Sequence, residues 1–147
     1  MTRFKRIIID GQNGTEKQLY KLFPWLKKAR IYKADIEIIN GNLIWNSGTW
    51  HDGVWKNGYW KNGTWKNGTW KNGVWESGHW YDGTWKNGVW EKGTWKNGTW
   101  KNGVWESGVW EKGYWYDGTW YDGVWKNGIW QNGIWQSGIW EYGIIVK

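Results

Sequence analysis

Apolar and polar positions in this chain follow two rhythms. Up to residue 44 they alternate in short stretches of differing character. From Trp45 to Trp140 a tryptophan stands at every fifth position, with a glycine three residues after each one, Gly48 through Gly143. A short fixed period puts every repeat in the same structural slot, which predicts a stack or ribbon of identical turns. Such a lattice is not assembled around a unique catalytic pocket.

Written from its glycine, one unit reads G-x-W-x-x. The residue between Gly and Trp is Thr, Val or Ile in seventeen of twenty units, with Tyr59, Tyr114 and His79 as the others. β-Branched and aromatic residues favour extended backbone. Side chains alternate along a strand, so Gly and Trp share one side and the Thr/Val/Ile position takes the other. Two residues after Trp the chain has Asn nine times and Asp four times, and both belong in turns. Each unit is therefore a three-residue strand piece followed by a corner.

Two architectures satisfy this unit. In an antiparallel ribbon, W-x-N-G would form two-residue hairpin turns, as in short Trp-zipper hairpins, and every indole would lie on one open face. That surface is far more apolar than a chain exposes without a partner. The Ser, Lys and Tyr corners also suit positive φ poorly. In a β-helix the corners all bend the same way and Trp and Gly point inward. Here the unit resembles the pentapeptide-repeat family, whose small inward residue maps onto Gly48 to Gly143 and whose large one maps onto Trp50 to Trp140. Glycine replaces that family's Ala, tryptophan its Leu or Phe, and Thr/Val/Ile its Asp or Asn. The resemblance implies an all-β solenoid, a right-handed β-helix with about four W-x-x-G-x units per coil and five coils, about 24 Å tall.

Charges after Trp bear on the number of units per coil. Opposite-sign pairs twenty residues apart, such as Lys56/Glu76 and Glu106/Lys126, outnumber like-sign pairs five to two, as four units per coil would favour. Against this, Thr64–Gly78 recurs identically at Thr94–Gly108, an offset that suits three units. The pairs favour four.

Residues 1–44 are expected to form a small α/β cap, and 45–147 the solenoid. A strand over 4–9 leads into the turn-rich Asp10-Gly11-Gln12-Asn13-Gly14. Thr15 and Gln18 have capping-box spacing, and Leu19, Leu22 and Phe23 follow at helical spacing. Pro24 breaks the helix and starts a second turn over 24–29. A strand over 31–39 follows, with Tyr32 and Ala34 in register with Ile36 and Ile38. The glycines before the helix lack the lysine and spacing of a phosphate-binding loop, so the segment reads as a sheet-edge cover.

Composition narrows the function. There are no cysteines, so neither disulfides nor thiolate metal sites enter. The apolar run Ile7-Ile8-Ile9 is too short for a signal-peptide core or a membrane span, so a soluble, cytoplasmic chain is expected. Residues 1–44 hold nine Lys or Arg against four Asp or Glu, which is +5 of the total +7. A candidate basic patch is Lys27, Lys28, Arg30 and Lys33. Under four units per coil, Lys56, Lys61, Lys66 and Lys71 fall on four different faces, a ring and not a patch. His51 and His79 have no second histidine at ligand spacing, so no metal is expected, and no nucleophile–base set suggests an enzyme or a cofactor. The outward slot of the last units turns to Ile129, Ile134, Ile139 and Ile144, followed by Ile145 and Val146. These six are candidate dimer contacts, because an open β-helix end is a liability that proteins cover. The reading is a non-catalytic, rigid binding or scaffold module that pairs with itself and has room for a further protein partner. A nucleic-acid-associated protein using the basic cap and a glycan-binding repeat protein are the alternatives.

Overall fold

The computed structural model describes residues 2–147. The cap opens with β1 (Phe4–Ile9) and β2 (Gln12–Asn13), then α1 (Glu16–Leu22) and a 3₁₀ turn (Pro24–Lys28). Two long strands follow, β3 (Arg30–Ile39) and β4 (Asn42–Asp52). The capping box forms: the Gln18 N–H donates to Thr15 Oγ1 at 3.1 Å, and the Thr15 N–H donates to Gln18 Oε1 at 2.9 Å. β1 runs parallel to β3, and β3 is antiparallel to β4. One register detail differs from the expected alternation. Lys33 takes a left-handed φ of 52°, the β3–β4 pairing slips there, and Ile31 is buried while Tyr32 is only partly so. A bulge at a non-glycine residue leaves no periodic trace.

After β4 come nineteen two-residue strands, from Val54–Trp55 to Ile144–Ile145. Every pairing between them is parallel and joins residues fifteen apart, for example Thr84 with Thr99 and Trp85 with Trp100. The molecule is a right-handed parallel β-solenoid of about seven turns. The class agrees with the sequence, but the expected four units per coil and five coils are corrected to three units per turn. The section is thus three-sided. One face carries Trp45, Trp60 and onward to Trp135, the second Trp50 to Trp140, and the third Trp55 to Trp130 followed by Ile145. β4 serves two faces at once, pairing through Ile44–Trp45 on the first and Thr49–Trp50 on the second.

Indole geometry explains the triangle. Rings fifteen residues apart stack nearly parallel, as Trp80 on Trp95 at 4.7 Å and 6°. Rings five residues apart meet edge to face, as Trp80 and Trp85 at 5.9 Å and 70°. Both are preferred aromatic arrangements, and the stacking distance equals the strand spacing of about 4.8 Å. Three rings per layer, edge to face, fill the section; all lattice rings from Trp45 to Trp125 are closed to solvent.

Glycine sets the corner. Gly83 has φ +122°, and a Cβ there would fall on the backbone carbonyl oxygen of Gly68 one turn earlier. Only a residue without a side chain combines that conformation with so close an approach. At the N-terminal end the cap imitates the missing preceding turn. A Cβ on Gly48 would meet the Ala34 backbone, one on Gly53 the Ala29 backbone, and one on Gly58 the Leu43 carbonyl. Trp25, the one tryptophan outside the lattice, packs edge-on against Trp55 at 5.4 Å and heads the third stack.

Indole N–H groups are the cost of this core. Trp110, Trp115 and Trp120 donate to the carbonyls of Asn127, Asn132 and Ser137 at 3.0–3.1 Å. Fourteen other buried indole nitrogens have no partner, and each unpaired N–H costs about 1–3 kcal/mol. Ring packing must exceed that sum. Replacing Trp95 by Ala is therefore expected to lower the unfolding free energy by about 3–5 kcal/mol. Gly83→Ala should cost at least about 3 kcal/mol through backbone collision, while the partly exposed Thr84→Ala costs less than about 1 kcal/mol. Urea denaturation of the three variants checks the order.

Candidate functional site

With Trp and Gly turned inward, chemistry is confined to the outward slots and the corners. The corners differ in charge. The corner after the first face carries Lys61, Glu76, Glu91 and Glu106 in successive turns. After the second face come His51, Lys66, Tyr81, Lys96, Glu111 and Lys126. After the third come Lys56, Lys71, Lys86 and Lys101, then Tyr116 and Gln131. Lys56, Lys61, Lys66 and Lys71 therefore do not occupy four faces: Lys56 and Lys71 share one corner, one turn apart. The opposite-sign pairs at twenty residues, such as Lys56 and Glu76, lie on different corners and do not stack.

Outward aromatics are held by the lysines of neighbouring turns. The ammonium of Lys66 lies 5.3 Å from the Tyr81 ring centre, and that of Lys96 lies 4.9 Å from it on the other side. Lys101 is 5.9 Å from Tyr116. The carboxylates beside these rings, Asp82 and Asp117, and Asp122 beside the exposed Tyr121, each accept the N–H of the following glycine at 2.8 Å. Tyr59 lies along the first face and donates to Glu91, 3.4 Å away; burial, then the Glu91 and Glu76 charges, raise its pKa.

In the cap, Lys27, Lys28 and Arg30 line one cleft of about 440 Å³ together with Arg3 and His51. Lys33, the fourth member of the expected patch, is not part of it; its ammonium lies over the Tyr32 ring at 5.4 Å. Arg3 donates to the carbonyls of Leu26 and Ala29 at 2.9 and 2.8 Å, fixing the 3₁₀ turn that presents Lys27 and Lys28. Tyr20 beside it is pushed up to about 12 by burial first and by its hydrogen bond to Glu16 second, with Arg3 acting in the opposite sense. A second cleft of about 530 Å³, lined by Phe23, Trp25, Leu43, Tyr59 and Lys61 among others, lies where the cap meets the first face.

The six candidate dimer contacts do not form one patch. Ile129 and Ile144 stack on the third face, Ile134 lies on the first and Ile139 on the second. Ile145 takes the slot of a tryptophan above Trp130. Ile134, Ile139, Ile144 and Ile145 ring the last turn, each more than half exposed, with Val146 after them, while Ile129 lies one turn back and is partly buried.

Among the described residues no three His, Cys, Asp or Glu side chains lie together, and no helix is long and apolar enough to cross a membrane. No family model, curated protein or solved structure matches the chain.

Four units per coil scatter these lysines over different faces, whereas the fifteen-residue turn gathers Lys56, Lys71, Lys86 and Lys101 on one corner. Like charges on neighbouring strands destabilise each other, and salt screens them. Stability should therefore rise between about 10 and 500 mM salt, and Lys86→Gln should add about 0.5 kcal/mol at the low-salt end. Denaturant melts at the two salt concentrations check this; a column balanced by ion pairs would give the reverse sign.

Proposed function

We propose that this protein is a non-catalytic, rigid rod that serves as a binding or scaffold module and pairs with a second copy through its last turn. The observation that carries the reading is the division of the molecule. One continuous tryptophan core sets a fixed shape, and the chemical variety of the solenoid lies on outward slots and corners that repeat every turn. The five-residue unit supports a relation to the pentapeptide-repeat family, as a three-sided counterpart in which indole and glycine replace smaller and larger partners.

Self-pairing rests on the contrast between the two ends. The cap covers the N-terminal end with Ala29, Ala34, Leu43 and Trp25. The last turn exposes its isoleucines, leaves Trp135 and Trp140 only partly buried, and presents the free edges of three strands. A second copy, tail to tail, offers the same rings and the same edges, and the two caps close the assembly at two copies.

The cleft lined by Lys27, Lys28, Arg30, Arg3 and His51 favours a second reading, attachment to nucleic acid through the cap. The rings from Trp45 to Trp125 are closed to solvent, which weighs against glycan binding through the lattice indoles.

Light scattering should give twice the 17.6 kDa chain mass, and Ile134→Lys with Ile139→Lys should return the single chain. A wild-type monomer at high concentration overturns the pairing. Hydrogen exchange should show uniformly slow amides through the middle turns; free exchange there overturns the rigid rod.

A further inference from the structure

The corner after the third face is a cationic edge. Lys56, Lys71, Lys86 and Lys101 are all exposed, and each is followed by an exposed asparagine, Asn57, Asn72, Asn87 and Asn102. The backbone fixes their spacing: the N–H groups of Lys71, Lys86 and Lys101 each donate to the carbonyl of the tryptophan one turn back, at 2.8 Å. Successive lysines therefore start about 4.8 Å apart on a straight line. The first carboxylate on this corner is Asp117, in the fifth turn. Among the described residues the one ion pair is Arg6 with Asp35, so no carboxylate pairs with any of these four cations; Lys101 alone has a ring beside it, that of Tyr116 at 5.9 Å. Repulsion along the column works against folding, and an external anion would relieve it.

Three features narrow the partner. The repeated pairing of an ammonium with a carboxamide donor suits phosphate oxygens. Through four turns the corner itself carries no aromatic side chain; its flanks are Val54, Thr69, Thr84 and Thr99 on the third face and Tyr59, Val74, Val89 and Val104 on the first, with Tyr59 partly buried and bonded to Glu91. Unpaired bases and sugar faces need aromatic platforms; a duplex backbone does not. The 3₁₀ turn bearing Lys27 and Lys28 packs on Val54–Trp55, the head of the same third face, and extends the positive potential toward the cap.

We propose that the Lys56–Lys71–Lys86–Lys101 edge binds the backbone of double-stranded nucleic acid without reading its sequence. This names the partner class of the rigid module described above and rests on that reading. The acidic column Glu76, Glu91 and Glu106 of another copy is the competing occupant, but exposed ion pairs are worth at most about 1 kcal/mol each. Counterion release from a duplex acts at every phosphate neutralised.

The test is fluorescence anisotropy of two unrelated 25-base-pair DNA duplexes titrated with the full chain between about 20 and 200 mM salt. Both should bind alike, and the four column lysines should contribute a log–log salt slope of about −3.6. Lys71→Gln, Lys86→Gln and Lys101→Gln together should reduce the slope by about 2.7. The charge-matched variant Lys61→Gln, Lys92→Gln and Lys126→Gln should leave it unchanged, with tryptophan emission confirming that both variants fold. Equal loss in the two variants, preference for one sequence, binding to heparin or anionic vesicles but not to duplex, or salt-sensitive self-association in place of duplex binding each overturns the proposal. Failure of duplex binding in a chain whose middle amides remain protected removes this inference alone; loss of that protection removes the rigid module itself.

Discussion

Each indole from Trp60 to Trp125 lies between two others at the spacing that the backbone ladder imposes, and this coincidence governs the molecule. Strand separation and aromatic stacking distance are nearly equal, so hydrogen-bonding the turns and stacking the rings are one act. Trp65, Trp80 and Trp95 follow each other at 4.7 Å with planes 4° to 6° apart. The same rings touch their sequence neighbours edge-on, which links the three stacks into one spiral. Glycine is the other half of the constraint, because the close passage of each corner over the one before it leaves no room for a Cβ.

A core this uniform frees the outside from any role in folding specificity. Outward slots accept Thr, Val, Ile, Tyr and His without change of register, and corners accept Lys, Glu, Gln, Tyr or Asn. Columns of like charge can then persist although they weaken the stack, because ring packing far exceeds surface repulsion. The resulting rod has a cationic edge, an acidic edge, and a mixed edge where Lys66 and Lys96 clasp Tyr81. Charge segregated by corner is a property of the turn, and no single repeat displays it.

Much of the architecture was legible in the residues. Inward Trp and Gly, outward β-branched positions, corners at Asn and Asp, and the capping box at Thr15 and Gln18 all follow from local rules. The number of units per turn did not, because a pentad period fixes the unit and says nothing of the bend per corner. That bend comes from glycine φ values near +125° and from the area three indoles fill, both tertiary quantities. Charge pairing at twenty residues misled for a physical reason: Lys56 and Glu76 occupy adjacent corners whose columns differ in sign, so opposite signs recur without contact. The identical segments Thr64–Gly78 and Thr94–Gly108 held the better clue, since thirty residues is two whole turns. The bulge at Lys33 and the imitation of a preceding turn by Ala29 and Ala34 had no signal in composition or period.

The fifteen-residue turn is tested most directly by cross-linking in this cysteine-free chain. Thr84→Cys with Thr99→Cys puts two thiols on neighbouring strands in direct register, with Cα atoms about 4.8 Å apart, inside the range a disulfide spans. Mild oxidation should close that bridge quickly and raise the resistance to urea, while Thr84→Cys with Val104→Cys stays reduced. Closure of the second pair in preference to the first would contradict the three-sided stack and every surface assignment built on it.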